Sequence, residues 1–220
     1  MIAPDTLLRD VPIASLRPTQ MCVGYREVDA KRRHWVSRHL QSEGQAPEPV
    51  VVPVVIGPRQ TLFMVDRHHL MRALLSEGVQ TVIAKPVADL TELTIDVFWD
   101  EMHHRGWCRP HDEAGVRRPF FDIPRSIHDL RDDPYRSLAG ALRRHKAFLK
   151  RRAPYAEFIW ADFLRGRINK NVVIVDFSGA VAEALMLARS AEAAHLPGWI
   201  AADQDSDIDV LPEMWSPGVS

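Results

Sequence analysis

The chain has 220 residues, of which 46% are hydrophobic and 26% charged, and these proportions are typical of a globular protein with a core of its own. Its 28 lysines and arginines against 29 aspartates and glutamates leave a net charge of −1, whereas a dedicated duplex-DNA binder carries a clear basic surplus. The apolar runs are shorter than the roughly 18 residues of a membrane helix, and the first residues lack the apolar core of a signal peptide. The two cysteines form no CxxC motif, so we expect a cytoplasmic protein without a disulfide scaffold.

Residues 8–90 are predicted to form an α/β domain. The segment 50–56 is rich in β-branched residues and too short for a helix, which is typical of a buried strand, and a turn at 57–60 predicts a hairpin. In chain order we expect a strand at 10–13, a loop at 17–20, a helix over 30–43 with Asp29 as N-cap and Gly44 at its end, strands at 50–56 and 61–65, a helix over 67–77 closed by Gly78, and a strand at 82–87.

Residues 91–196 are predicted to be mostly helical, and residues 197–220 to form an acidic, proline-containing tail. Aromatic and aliphatic residues at three- and four-residue spacing predict helices over 92–103, 135–149, 154–168 and 179–194. Trp160, Phe163, Leu164 and Phe158 are expected in the core, because aromatic residues at helical spacing usually pack together. The fold class is therefore α+β.

A candidate phosphate site lies where the strand at 61–65 leads into the next helix. Asp66, His68 and His69 occupy the first turn or the residues before it, where unpaired N–H groups and the helix dipole favour an anion. His68 and His69 are predicted to donate hydrogen bonds to phosphate, Arg72 follows on the same side of the helix, and Asp66 would position a hydroxyl group or Mg²⁺. The alternative is that Asp66 is only an N-cap and the histidines lie on the surface.

The order of these segments resembles a known superfamily. The stretches Val11–Pro18, Pro53–Ile56 and Phe63–Ala73, and further on Asp132–Gly140 and Phe158–Leu164, resemble the ParB/sulfiredoxin superfamily and, within it, the ParB-like nuclease family of bacterial proteins. This resemblance covers about residues 8–190 and implies a small mixed sheet with helices, followed by a mostly helical C-terminal portion.

The resemblance also implies a nucleotide site. The free-serine kinases of the superfamily carry an Asp-Gly-His-His-Arg box beside a catalytic glutamate, and Asp66, His68 and His69 stand in the matching places, with Arg67 instead of glycine and Leu70 instead of arginine. The similarity makes Glu27 the candidate catalytic base and ATP or ADP with Mg²⁺ the expected cofactor. The expected activity is phosphoryl transfer to a small hydroxyl compound. Alternatively, Glu27 only favours the start of a helix.

Two further functions stay open. Between residues 143 and 170 the chain has nine lysines and arginines and two acidic residues, a basic patch that would bind nucleic acid as a ParB-like nuclease would, while the acids of 203–213 are an alternative partner for it. The departures at Arg67 and Leu70 also allow a binding module without turnover. The histidines and Cys108 between 103 and 112 match no metal-binding spacing, so no metal site is predicted, and the sequence does not decide the oligomeric state.

Overall fold

The computed structural model describes residues 6–41, 49–149 and 155–201. The strands are β1 (Leu8–Pro12), β2 (Cys22–Val23), β3 (Val51–Gly57), β4 (Thr61–Met64), β5 (Thr81–Asp89) and β6 (Arg131–Asp132). The helices are α1 (Tyr25–Gln41), α2 (His68–Ser76), α3 (Ile95–His104), α4 (Pro134–Arg144), α5 (Ala156–Arg165), α6 (Lys170–Val175) and α7 (Phe177–Arg189).

A mixed four-stranded sheet in the order β1-β5-β3-β4 forms the centre of the first half. β1 runs antiparallel to β5, β5 parallel to β3, and β3 antiparallel to β4. Because side chains alternate along a strand, Val54 packs with the core beneath α2, whereas Val55 packs on the opposite face with Phe98 of α3. The buried strand at 50–56, the hairpin and the small mixed sheet are thus confirmed.

The second half is helical, as the sequence predicts. α4, α5, α6 and α7 enclose a separate cluster around Trp160, which is fully buried and stacks on Phe148 with 4.8 Å between ring centroids. Phe163 and Leu164 are buried with it, whereas Phe158 is only half-buried. The boundaries of the proposed domains stay a prediction, and nearly all of the acidic tail lies outside the described residues.

Helix α1 begins five residues earlier than expected, so the assignment of Asp29 as its N-cap is wrong. The N–H of Tyr25 donates to Asp132 Oδ1 at 2.7 Å, and the N–H of Arg26 donates to Ser137 Oγ at 3.2 Å. These acceptors lie more than a hundred residues along the chain, where a local sequence pattern cannot indicate them. Gly44, expected at the other end of this helix, lies outside the described residues.

Four other elements differ from expectation. α4 ends at Arg144 because the chain turns at Lys146, with φ of 53°, and Leu149 N–H donates to the carbonyl of Gly198. α6 was not predicted, and its N-cap Asn169 accepts the N–H of Asn171. The parallel pair β2 and β6 was also missed, since two-residue strands show no periodicity.

Candidate functional site

The chain enters α2 through a left-handed residue. Arg67 has φ of 66° and forms the N-cap of α2 without a side-chain cap bond, and its N–H donates to Oδ1 of the exposed Asp66 at 2.6 Å. Such a conformation favours glycine, because a Cβ is crowded there. Arginine therefore adopts this backbone at a modest conformational cost.

His68 holds the segment before α1 against α2. The N–H of Thr19 donates to His68 Nε2 at 3.1 Å, and Thr19 Oγ1 donates to the carbonyl of Met64 at 2.8 Å. Burial, with a smaller contribution from the positive charge of Arg136, lowers the pKa of His68 from 6.5 to about 3. The ring is therefore neutral, and its proton is on Nδ1 because Nε2 accepts.

His69 makes the corresponding contact to the residue before α1. Its Nε2 accepts the N–H of Gly24 at 3.0 Å, and burial together with the charge of Arg136 holds the pKa of the imidazole well below its usual value. Gly24 in turn packs against α4, where an added Cβ would lie 2.6 Å from the main-chain nitrogen of Ser137. The two histidines therefore bring one polypeptide segment between α2 and α4.

The first turn of α2 offers N–H groups without intrahelical acceptors. The first hydrogen bond of the helix runs from the N–H of Met71 to the carbonyl of Arg67. The N–H groups of His68, His69 and Leu70 therefore lie outside the helical ladder. Leu70 packs against the core that lies beneath α2. The start of α2 therefore has main-chain N–H groups without helical acceptors at the positive end of the helix dipole.

Arg72 lies one turn further along α2. Its Nη1 donates to Ser76 Oγ at 3.1 Å, and its guanidinium carbon lies 6.0 Å from the ring centroid of Tyr25. Its Nε is buried and has no hydrogen-bond partner among the described residues. The bond to Ser76 directs part of the guanidinium toward the end of α2 rather than its first turn.

Glu27 lies on the first turn of α1 and faces α4. It is buried, with 8% of its surface exposed, and Oε1 pairs with Nη1 of Arg144. Gly140 gives it room, because a Cβ at that position would lie 2.5 Å from the carboxylate carbon. The structure thus places Glu27 between the two halves of the protein, with its charge compensated by an arginine of α4.

Arg136 on α4 is a buried cation that the sequence analysis did not single out. It is 4% exposed, Nη2 donates to Glu157 Oε2 at 2.9 Å, and the guanidinium carbon lies 4.2 Å from the ring centroid of Phe158. Its charge is the largest electrostatic influence on both His68 and His69. A lone arginine near a helix start has no distinguishing pattern, so only the fold reveals its burial.

Most charges of the predicted basic patch are paired within the fold. Four of its six described lysines and arginines form ion pairs: Arg143 with Glu157 at 2.6 Å, Arg144 with Glu27, Arg165 with Asp133 at 2.8 Å and Arg167 with Glu192 at 2.9 Å. Residues 150–152 lie outside the described residues. The folded patch therefore presents less unpaired positive charge to a polyanion than the sequence alone indicates.

The described residues contain neither a metal cluster nor a membrane-spanning helix. Over 6–41, 49–149 and 155–201, no group of three or more histidines, cysteines or acidic residues is arranged to hold a metal ion. In the same part of the chain, every helix is too short or too polar to cross a bilayer.

Comparison with known proteins identifies the family. The model of the family described as "Putative ParB-like nuclease" matches residues 9–166. The chain belongs to this ParB-like family. A crystal structure of protein Atu1540 from Agrobacterium tumefaciens is similar over 89% of this chain and 98% of that chain, with 46% sequence identity and a TM-score of 0.83. No curated protein matches. The ParB-like resemblance is thereby confirmed, and these comparisons give no support to a similarity with the free-serine kinases.

Proposed function

We propose that this ParB-like protein binds a phosphate-bearing small molecule of the nucleotide type at the start of α2. The observation that carries the proposal is the uncapped first turn of α2, whose N–H groups lie outside the helical ladder while the neighbouring imidazoles are held by Thr19 and Gly24. A rigid helix start of this kind is suited to phosphate, because the N–H groups and the dipole are arranged before the ligand arrives.

The side chains at this junction fit the phosphates of ATP or ADP. Arg72 follows one turn along α2; its Nη1 donates to Ser76, and its Nε, which has no described partner, is the donor that an anionic oxygen would satisfy. Mg²⁺ would be carried by the phosphates, and Asp66 is the carboxylate that lies at the junction, exposed and with Oδ2 outside its bond to Arg67. The histidines contribute through position, since each Nε2 already accepts a main-chain N–H.

Phosphoryl transfer to a hydroxyl compound is the finer hypothesis for the same site. It requires Glu27 to accept a proton, whereas the Glu27 carboxylate is paired with Arg144 in this structure. Replacing Glu27 with glutamine separates the two roles. If Glu27 is the base, the glutamine variant should lose turnover with little change in nucleotide affinity. If Glu27 is only the ion-pair partner of Arg144, the variant should lose stability and keep its turnover. A module without turnover would show binding alone.

Isothermal titration with ATP and ADP, each with Mg²⁺, tests the binding proposal. We expect Arg72→Gln to weaken binding about tenfold, which corresponds to one charge-assisted hydrogen bond of about 1.4 kcal/mol. Arg59→Gln is the matched control, because Arg59 is exposed at the turn that precedes β4, whereas α2 follows the other end of that strand. Failure of the folded wild-type protein to bind either nucleotide would refute the proposal.

Binding or cleavage of nucleic acid is the second candidate, and the family description favours it. Lys146 and Lys170 are the exposed basic residues of the patch that form no ion pair within the described residues, so they would carry the contact. Phosphate-driven binding would appear in a gel shift at low salt and weaken steeply as salt rises. Loss of binding in the double variant Lys146→Gln/Lys170→Gln would support this candidate, and unchanged binding would contradict it.

A further inference from the structure

We propose that Arg136 binds a second anionic group of the ligand, between the starts of α2 and α5, so that the site takes a molecule with a diphosphate or longer phosphate chain. The inference rests on the proposed function, because the first anionic group is the one at α2. It adds a cation from the helical half of the chain to a site that the motif places entirely in the first half.

The buried guanidinium of Arg136 is only partly satisfied by hydrogen bonds. Its side chain is 5% exposed, and Nη2 pairs with Glu157. Nε and Nη1 are also buried, and neither has a hydrogen-bond partner within the described part of the chain. The ring face of Phe158 attracts the cation but offers no acceptor to in-plane N–H groups. Buried donors of a charged group are costly when unpaired, so an anionic oxygen is the natural partner.

The position of Arg136 also favours the binding of an anion. On one side it pairs with Glu157 in the first turn of α5, a ten-residue helix whose N-cap Tyr155 has φ of 61° and makes no side-chain cap bond. On the other side Ser137, the next residue of α4, packs against Gly24, whose N–H donates to His69 Nε2 in the first turn of α2 at 3.0 Å. The charge of Arg136 also lowers the pKa of that imidazole. A buried cation thus lies between two uncapped helix starts, each of which is a positive dipole end.

The side chains around Phe158 carry more positive than negative charge. Arg109 lies on the same ring, with its guanidinium carbon 4.8 Å from the centroid, and Arg143 shares Glu157 with Arg136. Asp162 pairs with Arg109. Three arginines therefore face two carboxylates beside two positive helix ends. An anionic group at this position, such as the second phosphate group of a diphosphate, would reduce the repulsion among these cations.

The test compares inorganic phosphate with pyrophosphate by isothermal titration. We expect wild-type protein to bind pyrophosphate at least about tenfold more tightly than phosphate, and Arg136→Met, which keeps the apolar stem, to remove that preference. Arg72→Gln should weaken both anions and leave the preference in place, because Arg72 is assigned to the first group only. Circular dichroism establishes that each variant is folded.

The outcomes separate the two proposals. Equal affinity of the wild-type protein for both anions overturns the role of Arg136 and leaves the α2 site standing, whereas binding of neither anion, ATP nor ADP overturns both. An Arg136→Met protein that is destabilised but retains the preference shows that Arg136 is purely structural, and overturns the inference. If Arg136→Met does not fold, Arg136→Lys replaces it. Lysine keeps the charge with fewer donors, so a preference reduced about threefold supports the role and an unchanged preference overturns it.

Discussion

Replacement of Gly24 with alanine tests the packing that holds the two halves of the site together. An alanine Cβ at this position would lie 2.6 Å from both the main-chain nitrogen and Oγ of Ser137, and 3.0 Å from its Cα. The nitrogen and Cα belong to α4 itself, so rotation of a side chain cannot remove the contact. The chain at Gly24 must therefore move away from α4.

Two contributions set the expected loss of stability. Overpacking of a tight contact typically costs about 1–3 kcal/mol. Movement of Gly24 also disturbs the bond from its N–H to His69 Nε2, 3.0 Å long, and a hydrogen bond of this kind contributes about 0.5–1.5 kcal/mol. We therefore expect the free energy of unfolding to fall by about 2–4 kcal/mol. For a chain of this size the melting temperature should drop by about 5–15 °C.

Thermal and urea unfolding, followed by circular dichroism, measure this effect. Gly166→Ala is the matched control, because a Cβ there would meet only the carbonyl oxygen of Phe163 at an ordinary 3.8 Å. We expect the control to remain within about 0.5 kcal/mol of the wild type. A Gly24→Ala protein as stable as the control would refute the close approach of α1 and α4, and with it the geometry assigned to the candidate site.

Two further predictions concern pH and the helical core. The pKa of His68 is lowered from 6.5 to about 3, so as pH falls the unfolded chain is protonated at this residue before the folded protein is. The contribution of the neutral, buried His68 to the free energy of unfolding is therefore complete above about pH 6.5. It is lost between pH 6.5 and pH 3, by up to about 1.4 kcal/mol per pH unit. His68→Gln should flatten the fall in urea-unfolding free energy between pH 6.5 and 4 by one proton, and an unchanged slope would contradict the neutral, buried ring. Trp160→Ala should cost about 3–5 kcal/mol, because Trp160 is fully buried and Nε1 donates to the carbonyl of Pro197 at 3.0 Å, whereas its half-exposed neighbour Ile159→Ala should cost less than about 1 kcal/mol. Similar losses in the two variants would refute the assigned orientation of α5.

Local patterns predicted the elements whose stability comes from nearby residues. The β-branched run at 50–56 became β3, and the turn at 57–60 joined it to β4 as a hairpin. The helix closed by Gly78 became α2, since φ of 76° at that glycine suits the end of a helix. In each case the hydrophobic period, the turn residues and the helix end lie within about ten residues of one another. A local stretch of sequence is therefore enough to predict the element.

The start of α1 shows where local patterns fail. Its first N–H groups are satisfied by Asp132 and Ser137, so the helix begins at Tyr25 although Asp29 has the better local capping pattern. The same dependence on distant residues affects the site. The motif identified Asp66, His68, His69 and Arg72 as neighbours, but it did not reveal that both histidine Nε2 atoms accept main-chain N–H groups from residues 19 and 24.

The sequence by itself therefore determined the longer strands and helices, the ParB-like family and the place where the chain enters α2. Only the tertiary structure decided which groups surround that helix start. Glu27 pairs with Arg144, and Arg136 lies buried on α4, where its charge lowers the pKa of His68. The physical reason is that burial and charge compensation depend on contacts between segments far apart in the chain, and those contacts exist only when the helical half packs against the sheet half.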